Sequence, residues 1–335
     1  MLQMYKLKGV KNIALLLGGT SSEREISLKT GNNVGSLLED IGYNVTYIDT
    51  KDNNFINSLI DCKPDVVFIA LHGKGGEDGK IQGLLETLKI PYTGSGVCSS
   101  SIAINKALTK LLYINYKRPL PTSDFVVVDN LQYDINKITA KIGENVVVKA
   151  ASQGSSVGLF ICNEKNEIKD ALDKTLKLDK YVVVEKYIEG REFTVPTMIV
   201  NKEEKESFND NLKNYVDNVC SFPVIEIVPK NKFYDFESKY AQGGSKHICP
   251  AKISDELTKK LQILAADAHL CLSCKGIVRT DFIVDKNNNV FLLETNTLPG
   301  MTATSLVPES AKIAGLEFWQ LCNLILKDAL ASSHK

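Results

Sequence analysis

Two apolar runs near the C-terminal end carry polar groups that a plain core has no use for. "GIVRTDFIVD" contains Arg279 and Asp281, and "NVFLLETN" contains Glu294 and Asn296. Side chains alternate faces along a strand, so residues 279 and 281 share one face, as do 294 and 296. The intervening "KNNN", residues 286–289, reads as a hairpin turn because Asn tolerates positive φ, and it sets Asp281 roughly opposite Glu294. Asp, Glu and Asn offer oxygen ligands only, a set suited to Mg²⁺ shared with phosphates and unsuited to zinc. Two buried carboxylates side by side repel, and one pKa rises, unless a cation lies between them. The competing reading is a surface hairpin in which Arg279 pairs the acids; the apolar flanks "FIV" and "FLL" argue against it.

Four other stretches could do chemistry. In "KAASQGSSVGL" a lysine, Lys149, ends a strand, and Gly154, Ser155, Ser156 and Gly158 follow as a small flexible loop. Backbone N–H groups and hydroxyls of such a loop can wrap a phosphate that Lys149 neutralises. It is not a Walker A loop, and an ordinary Gly/Ser hairpin has the same composition. In "EKYIEGREF", Glu185 and the backbone from Lys186 to Ile188 could read an adenine edge and Glu192 could reach ribose hydroxyls; a solvated charged turn is the plainer alternative. "GGTSSEREIS" follows a strand and opens a helix, the place where open α/β sheets put ligands. There Glu23 could bind an ammonium group, or Glu23 and Glu25 could simply complement the helix dipole. In "ALHGKGGEDG", His72 ends a buried strand beside Gly73, Gly75 and Gly76, either as a site residue or as a structural histidine.

The elements that must position these groups follow from periodicity. Residues 12–17, "YNVTYID" and "DVVFIALHG" read as strands alternating with helices through "PYTG", which predicts a parallel sheet and a first domain over 1–103. "SIAINKALTKLLYINYK" reads as one helix opening a second domain, 104–188, with strands at "DFVVV", "NVVVKA", "VGLFICN" and "YVVVEKYI" and a helix around 166–177. A third domain, 189–335, begins at "EFTVPTMIV". It continues through the polar stretch 201–219, expected to be a loop or short exposed helix, then "VIEIVP", a long polar loop, a helix over 254–274, the hairpin, and one C-terminal helix over about 308–329.

Composition excludes several classes. Lys plus Arg and Asp plus Glu each number 40 in 335 residues, so no global basic field suggests nucleic acid or an anionic membrane. No apolar stretch approaches the ~20 residues of a spanning helix. The run Ile13–Leu17 is too brief for a signal-peptide core, so a cytosolic protein is expected. Eight cysteines are scattered, and only "CLSC", Cys271 to Cys274, has metal or redox spacing; with no second pair it reads as a packed helix face.

In order along the chain stand "LLLGGTSSEREISLKTG", "VFIALHGKGGEDGKIQGLLETLKIPYTGSG", "KAASQGSSVG", "VVVEKYIEGREFTV", "FYDFESKY" and "VRTDFIVD" with "FLLETNTLPGMTATSLVP". Together they closely resemble the D-alanine–D-alanine ligases of the ATP-grasp superfamily, over residues 12 to about 326. The resemblance implies an α/β (α+β) protein of three domains, two of which enclose ATP. It implies that two D-alanines and ATP give the dipeptide, ADP and phosphate through an acyl phosphate, for peptidoglycan precursors. It implies two Mg²⁺ ions, for which Mn²⁺ can substitute, held by Asp281, Glu294 and Asn296, with Glu294 bridging.

By the same resemblance Lys106 and Lys149 contact ATP phosphates, with Ser156 in the loop over them. Glu185, Lys186 and Ile188 meet adenine, and Glu192 meets ribose. Glu23 holds the first D-alanine's ammonium with His72 nearby. Arg279 and the Gly300 N–H stabilise the oxyanion, and Ser305 and Lys239 take the second D-alanine's carboxylate. Tyr240, Ser155 and Glu23 form a triad that closes the lid, and a homodimer is implied. Lys239-Tyr240 favours D-alanine as acceptor over D-lactate or D-serine; an inactive nucleotide-binding relative is the remaining alternative. Ala150, Gln153 and Asn105 depart from the family's usual residues without removing a metal ligand or phosphate lysine.

Overall fold

The computed structural model of the chain describes residues 5–129, 133–154, 157–200, 215–229 and 245–332. The first layer is a three-stranded parallel sheet of β1 (Asn12–Leu17), β2 (Asn44–Asp49) and β3 (Val66–Ile69) in the order β2-β1-β3. β1 and β3 are wholly apolar over their central residues and buried on both faces, as a parallel strand covered by helices must be. α1 (Arg24–Ile41), α2 (Phe55–Asp61) and α3 (Lys80–Thr87) connect the unit. α2 falls in a polar stretch that the sequence did not mark as helical; its only buried residue is Leu59.

The single helix expected over "SIAINKALTKLLYINYK" is two helices, α4 (Val97–Ala103) and α5 (Lys106–Asn115). Asn105 breaks the run: its backbone is extended, and its side chain accepts from the N–H groups of Ala107 and Leu108. That is an N-cap, a role Asn fills well, and it restarts the helix on a new axis. The Lys106 N–H then donates to the Ala151 carbonyl at 2.8 Å, which ties the start of α5 to the loop after β5.

The second sheet is antiparallel, β4 (Phe125–Val128), β7 (Val182–Lys186), β5 (Val146–Ala150) and β6 (Phe160–Cys162) in that order. α6 (Ile135–Ile142) and α7 (Lys165–Thr175) cover one of its faces through a core of Val146, Val148, Leu172, Val182 and Val184. The third sheet has β8 (Gly190–Ile199) as its spine. β13 (Ile277–Asp285) runs along one edge of β8 and carries β14 (Val290–Asn296) outside it. On the other edge, β11 (Ile225–Pro229) pairs the first half of β8, and β10 (Val219–Ser221) pairs the second. β9 (Tyr215–Val216) and β12 (Ser245–Ile248) extend these two. The described part of the polar stretch 201–219 is therefore hairpin, turning at Asp217 with φ 54, and not loop or helix; residues 201–214 lie outside the described residues.

α8 (Asp255–Cys271) covers this sheet through Leu257, Leu261, Ala265 and Ala268. It ends at Cys271 because Ser273 turns the chain with φ 50, so the "CLSC" pair straddles a helix end. Burial pushes the thiols of Cys271 and Cys274 up to about 11 and about 12, as befits packed and unreactive groups. The last expected helix is likewise two, α9 (Leu306–Ile313) and α10 (Phe318–Ser332), separated at Gly315, whose φ of 88 no helix tolerates. α10 seals one continuous core in which Leu15 and Phe68 of the first sheet meet Met198, Phe222 and Leu321. That shared core fixes the loop after β14 against the first layer, where Asn33 donates to the Met301 carbonyl at 2.7 Å. No described helix is long and apolar enough to cross a membrane.

Candidate functional site

Two clefts meet between the layers. The larger, about 490 Å³, is roofed by the second sheet and floored by the third. Its walls are apolar at Val147, Ile161, Ile188, Phe282 and Phe291, while Lys149, Glu185, Lys186, Glu192 and Asp281 supply its polar rim. The smaller, about 230 Å³, is lined by Glu23, His72, Arg279, Asn296, Gly300 and Ser305. Lys106, Gln153 and Glu294 line both, so the clefts communicate at a lysine–glutamate pair 3.2 Å apart. A flat apolar slot opening onto cationic groups suits a nucleotide, and a small polar chamber beyond it suits a charged small molecule.

The hairpin behaves as its alternation and turn predict, with one addition. Asp281 pairs directly with Glu294 and Arg279 with Asn296, and the turn closes with Asn288 at φ 61. The register slips between Asp281 and Phe282, which pairs with Leu292. Leu293 is therefore the extra residue of a bulge. Simple alternation would aim Leu293 and Glu294 to opposite faces, yet both line the larger cleft.

Each acid meets a cation. Arg279 donates from Nε to Asp281 Oδ1 at 2.9 Å and from a terminal nitrogen to Oδ2 at 2.8 Å, a fork that is largely buried. Thr194, the partner of Asp281 on β8, donates its hydroxyl to Oδ1 at 2.6 Å. Asn296 Oδ1 accepts from the Leu298 N–H at 2.9 Å. No group of three or more His, Cys, Asp or Glu side chains that could hold a metal clusters among the described residues. The set here is two carboxylates and an amide at the junction of the clefts. Its donors are all oxygen and its acids already sit beside positive charge, so it fits a hard cation that keeps water or phosphate oxygens as its other ligands.

Glu185 is more deeply placed than a charged turn would be. Its carboxylate lies 2.7 Å from Lys110 Nζ and 2.5 Å from Lys149 Nζ, and the Ser123 hydroxyl donates to it at 3.1 Å. Burial alone would raise its pKa, and the two ammonium groups overcome that and hold it at about 2. A carboxyl depressed in the folded state contributes stability above its ordinary 4.5 and loses it as the pH falls toward 2. Urea unfolding of Glu185→Gln at about pH 3 and pH 6 should accordingly show a smaller difference than the native chain does. An equal difference would mean that Glu185 does not carry this acid sensitivity.

In the smaller cleft, Glu23 sits at the N-terminal end of α1, where an acid complements the dipole. The backbone crowds it: a Cβ on Gly73, whose φ is 68, would lie 2.7 Å from Glu23 Oε2, and one on Gly154 would lie 2.9 Å from it. Those two glycines let both flanking loops close on this carboxylate. His72 is a brace. Its Nδ1 is 3.0 Å from the Leu298 carbonyl, which can only accept, and its Nε2 is 3.0 Å from the Thr30 hydroxyl. The ring thereby joins α1 to the loop that carries Gly300. Ser305 opens α9, its hydroxyl accepting from the Thr302 N–H at 2.9 Å and close against Gly300.

Ser155, Ser156, Lys239 and Tyr240 lie outside the described residues. Sequence reasoning missed Lys110, Thr194 and His247. Lys110 had a signal, since it stands one helical turn after Lys106. Thr194 had none, because only the pairing of β8 with β13 sets it beside Asp281. His247 lines the smaller cleft from β12, its Nδ1 3.0 Å from Glu309 of α9, a contact 62 residues distant in sequence.

The model of the family described as D-ala D-ala ligase C-terminus matches residues 116–327, and that of the D-ala D-ala ligase N-terminus matches 57–95. A D-alanine–D-alanine ligase of Syntrophobacter fumaroxidans is 42% identical over 321 residues, 95% of this chain and 97% of the relative. Among solved structures, the Bacillus anthracis D-alanine–D-alanine ligase complexed with ATP superposes with a TM-score of 0.80 at 29% identity, over 97% of this chain and 99% of that one. A D-Ala:D-Ser ligase of Enterococcus faecalis superposes with 0.79 at 25% identity, over 96% and 99%.

Proposed function

The chain belongs to the D-alanine–D-alanine ligase family, and we propose that it joins two D-alanines at the expense of ATP, supplying a dipeptide for peptidoglycan precursors in the cytosol. The observation that carries this reading is the meeting of a nucleotide-sized slot and a small polar chamber at Lys106 and Glu294. A carboxylate in the chamber can there reach the terminal phosphate of a nucleotide in the slot.

A carboxylate is a poor electrophile for an amine, so it must first be activated. The first D-alanine's ammonium pairs with Glu23, which leaves its carboxylate toward the junction. That carboxylate oxygen attacks the γ-phosphorus of ATP; the bond to the β-phosphate breaks, and an acyl phosphate and ADP result. Lys106 and Lys149 balance phosphate charge, Lys186 and Ile188 border the adenine, and Glu192 reaches the ribose. The second D-alanine lies with its carboxylate at Ser305, at the positive end of α9, and its uncharged amine attacks the acyl carbon. Negative charge grows on the carbonyl oxygen as the bond forms. Arg279 and the Gly300 N–H meet that charge, the acyl carbon–oxygen bond to phosphate breaks, and inorganic phosphate leaves with the proton that the amine nitrogen gives up. Asp281, Glu294 and Asn296 would hold Mg²⁺, whose contribution is to neutralise the phosphates. The exposed apolar positions Leu108, Leu111 and Leu112 of α5 support a homodimer.

The test is phosphate release with ATP, Mg²⁺ and D-alanine, followed by competition with D-serine and D-lactate. Release with D-alanine alone is expected, and its absence would sink the proposal. Preferred use of D-serine, the substrate named for the Enterococcus faecalis neighbour, would reassign the acceptor and leave the activation step intact.

A further inference from the structure

We propose that Lys110 is a positioning residue for the nucleotide: it keeps Glu185 charge-balanced so that Lys149 can leave that carboxylate for phosphate. The inference rests on the ATP-dependent reading above. Lys110 is fully buried and does not line the cleft. Its three N–H donors face three acceptors: Glu185 Oε2 at 2.7 Å, Ser123 Oγ at 3.2 Å, and the Thr122 hydroxyl. The Phe125 ring flanks it, with the ammonium 5.5 Å from the ring centre. A lysine so saturated stays where it is.

Lys149 differs. It lines the cleft, and its ion pair is with the other oxygen, Oε1, of the same Glu185. Two ammonium groups thus share one buried carboxylate, and one positive charge is in excess beside the slot. A polyanion entering the slot meets that excess. For Lys149 to turn to it, Glu185 must not be left as a lone buried charge, which costs far more than an exposed pair contributes. Lys110 on Oε2 meets that requirement. Without it, Lys149 is the cation left for Glu185 among the described residues, and the nucleotide loses its lysine.

The role couples Lys110 to the charge of Glu185, and a double-mutant cycle reads that coupling. ATP binding is measured by calorimetry on the full chain with Mg²⁺ and without D-alanine, and the KM for D-alanine is measured separately. Lys110→Met is expected to raise the Kd for ATP on the order of 30-fold and leave the D-alanine KM unchanged. In a Glu185→Gln background, adding Lys110→Met is expected to change the Kd by less than about 3-fold, because no carboxylate remains to be balanced. Only the double variant holds a neutral pair, since Glu185→Gln alone leaves Lys110 a buried cation without its carboxylate; ATP binding by the double variant within about 3-fold of the native chain therefore decides the matter where a single variant does not fold. Native-like ATP binding by Lys110→Met, or a large further loss in the Glu185→Gln background, would overturn the inference. Failure of the native chain to bind ATP would overturn the ligase reading, and this one with it.

Discussion

Glu294→Gln is expected to lower kcat by on the order of a thousandfold or more while leaving the fold intact. Gln has the shape of Glu, and position 294 is partly open to both clefts, so no cavity opens and no core contact is lost. What disappears is one negative charge. In this structure that charge holds Lys106 at 3.2 Å and faces Asp281 across the hairpin. With Lys106 and Gln153 it lines both clefts, and in the proposed reaction it would hold the metal there, so its loss is expected to strike activation of the carboxylate and not merely affinity. Steady-state phosphate release together with a thermal unfolding midpoint within a few degrees of the native chain would match this expectation. Near-normal turnover would show that the hairpin acids do not serve the reaction.

Arg279→Met carries the second large effect, and it has two parts that separate. Asp281 is buried and takes both guanidinium bonds, so removing Arg279 leaves the carboxylate, among the described residues, with the Thr194 hydroxyl. Breaking a buried pair from one side costs about 3 kcal/mol of stability. The same guanidinium lines the smaller cleft, and loss of a donor to a developing oxyanion lowers kcat about 100- to 1000-fold. Arg279→Lys discriminates the two parts. Lysine keeps the charge and recovers much of the stability, but it cannot present the planar fork to Asp281 and still reach the oxyanion. Stability should therefore return while kcat stays low. If Arg279→Lys restored the rate as well, the role of Arg279 would be support of Asp281 only.

Much of the site was legible because its information is local. Alternation put Arg279 with Asp281 and Glu294 with Asn296 and turn chemistry set the hairpin, but the register of Val284 with Val290 would set Asp281 opposite Leu293, and only the bulge moves it onto Glu294. The all-apolar runs of β1 and β3 dictated a covered parallel sheet, since such strands have no polar face to give to water. Asn105 was legible too, as an N-cap, but a continuous apolar pattern overrode it, and the helix break that aims Lys106 into both clefts went unread.

Other features depend on contacts between distant segments. The bulge at Leu293 turns that side chain and Glu294 into one cleft, and nothing in "FLLETN" announces it. Thr194 reaches Asp281 across 87 positions, and His72 is locked between Thr30 and Leu298, which turns a candidate chemical group into a brace. Glu185 looked like a solvated turn residue until the second sheet closed over it with Lys110 and Lys149. The sequence by itself determined which residues could carry the chemistry and which strand faces they share, because periodicity and turn propensity act over a few residues. Only the tertiary structure decided which charges are buried and with whom they are paired. Desolvation and ion pairing are set by what the packed apolar layers bring together, and that is a property of the assembled core and not of any one stretch.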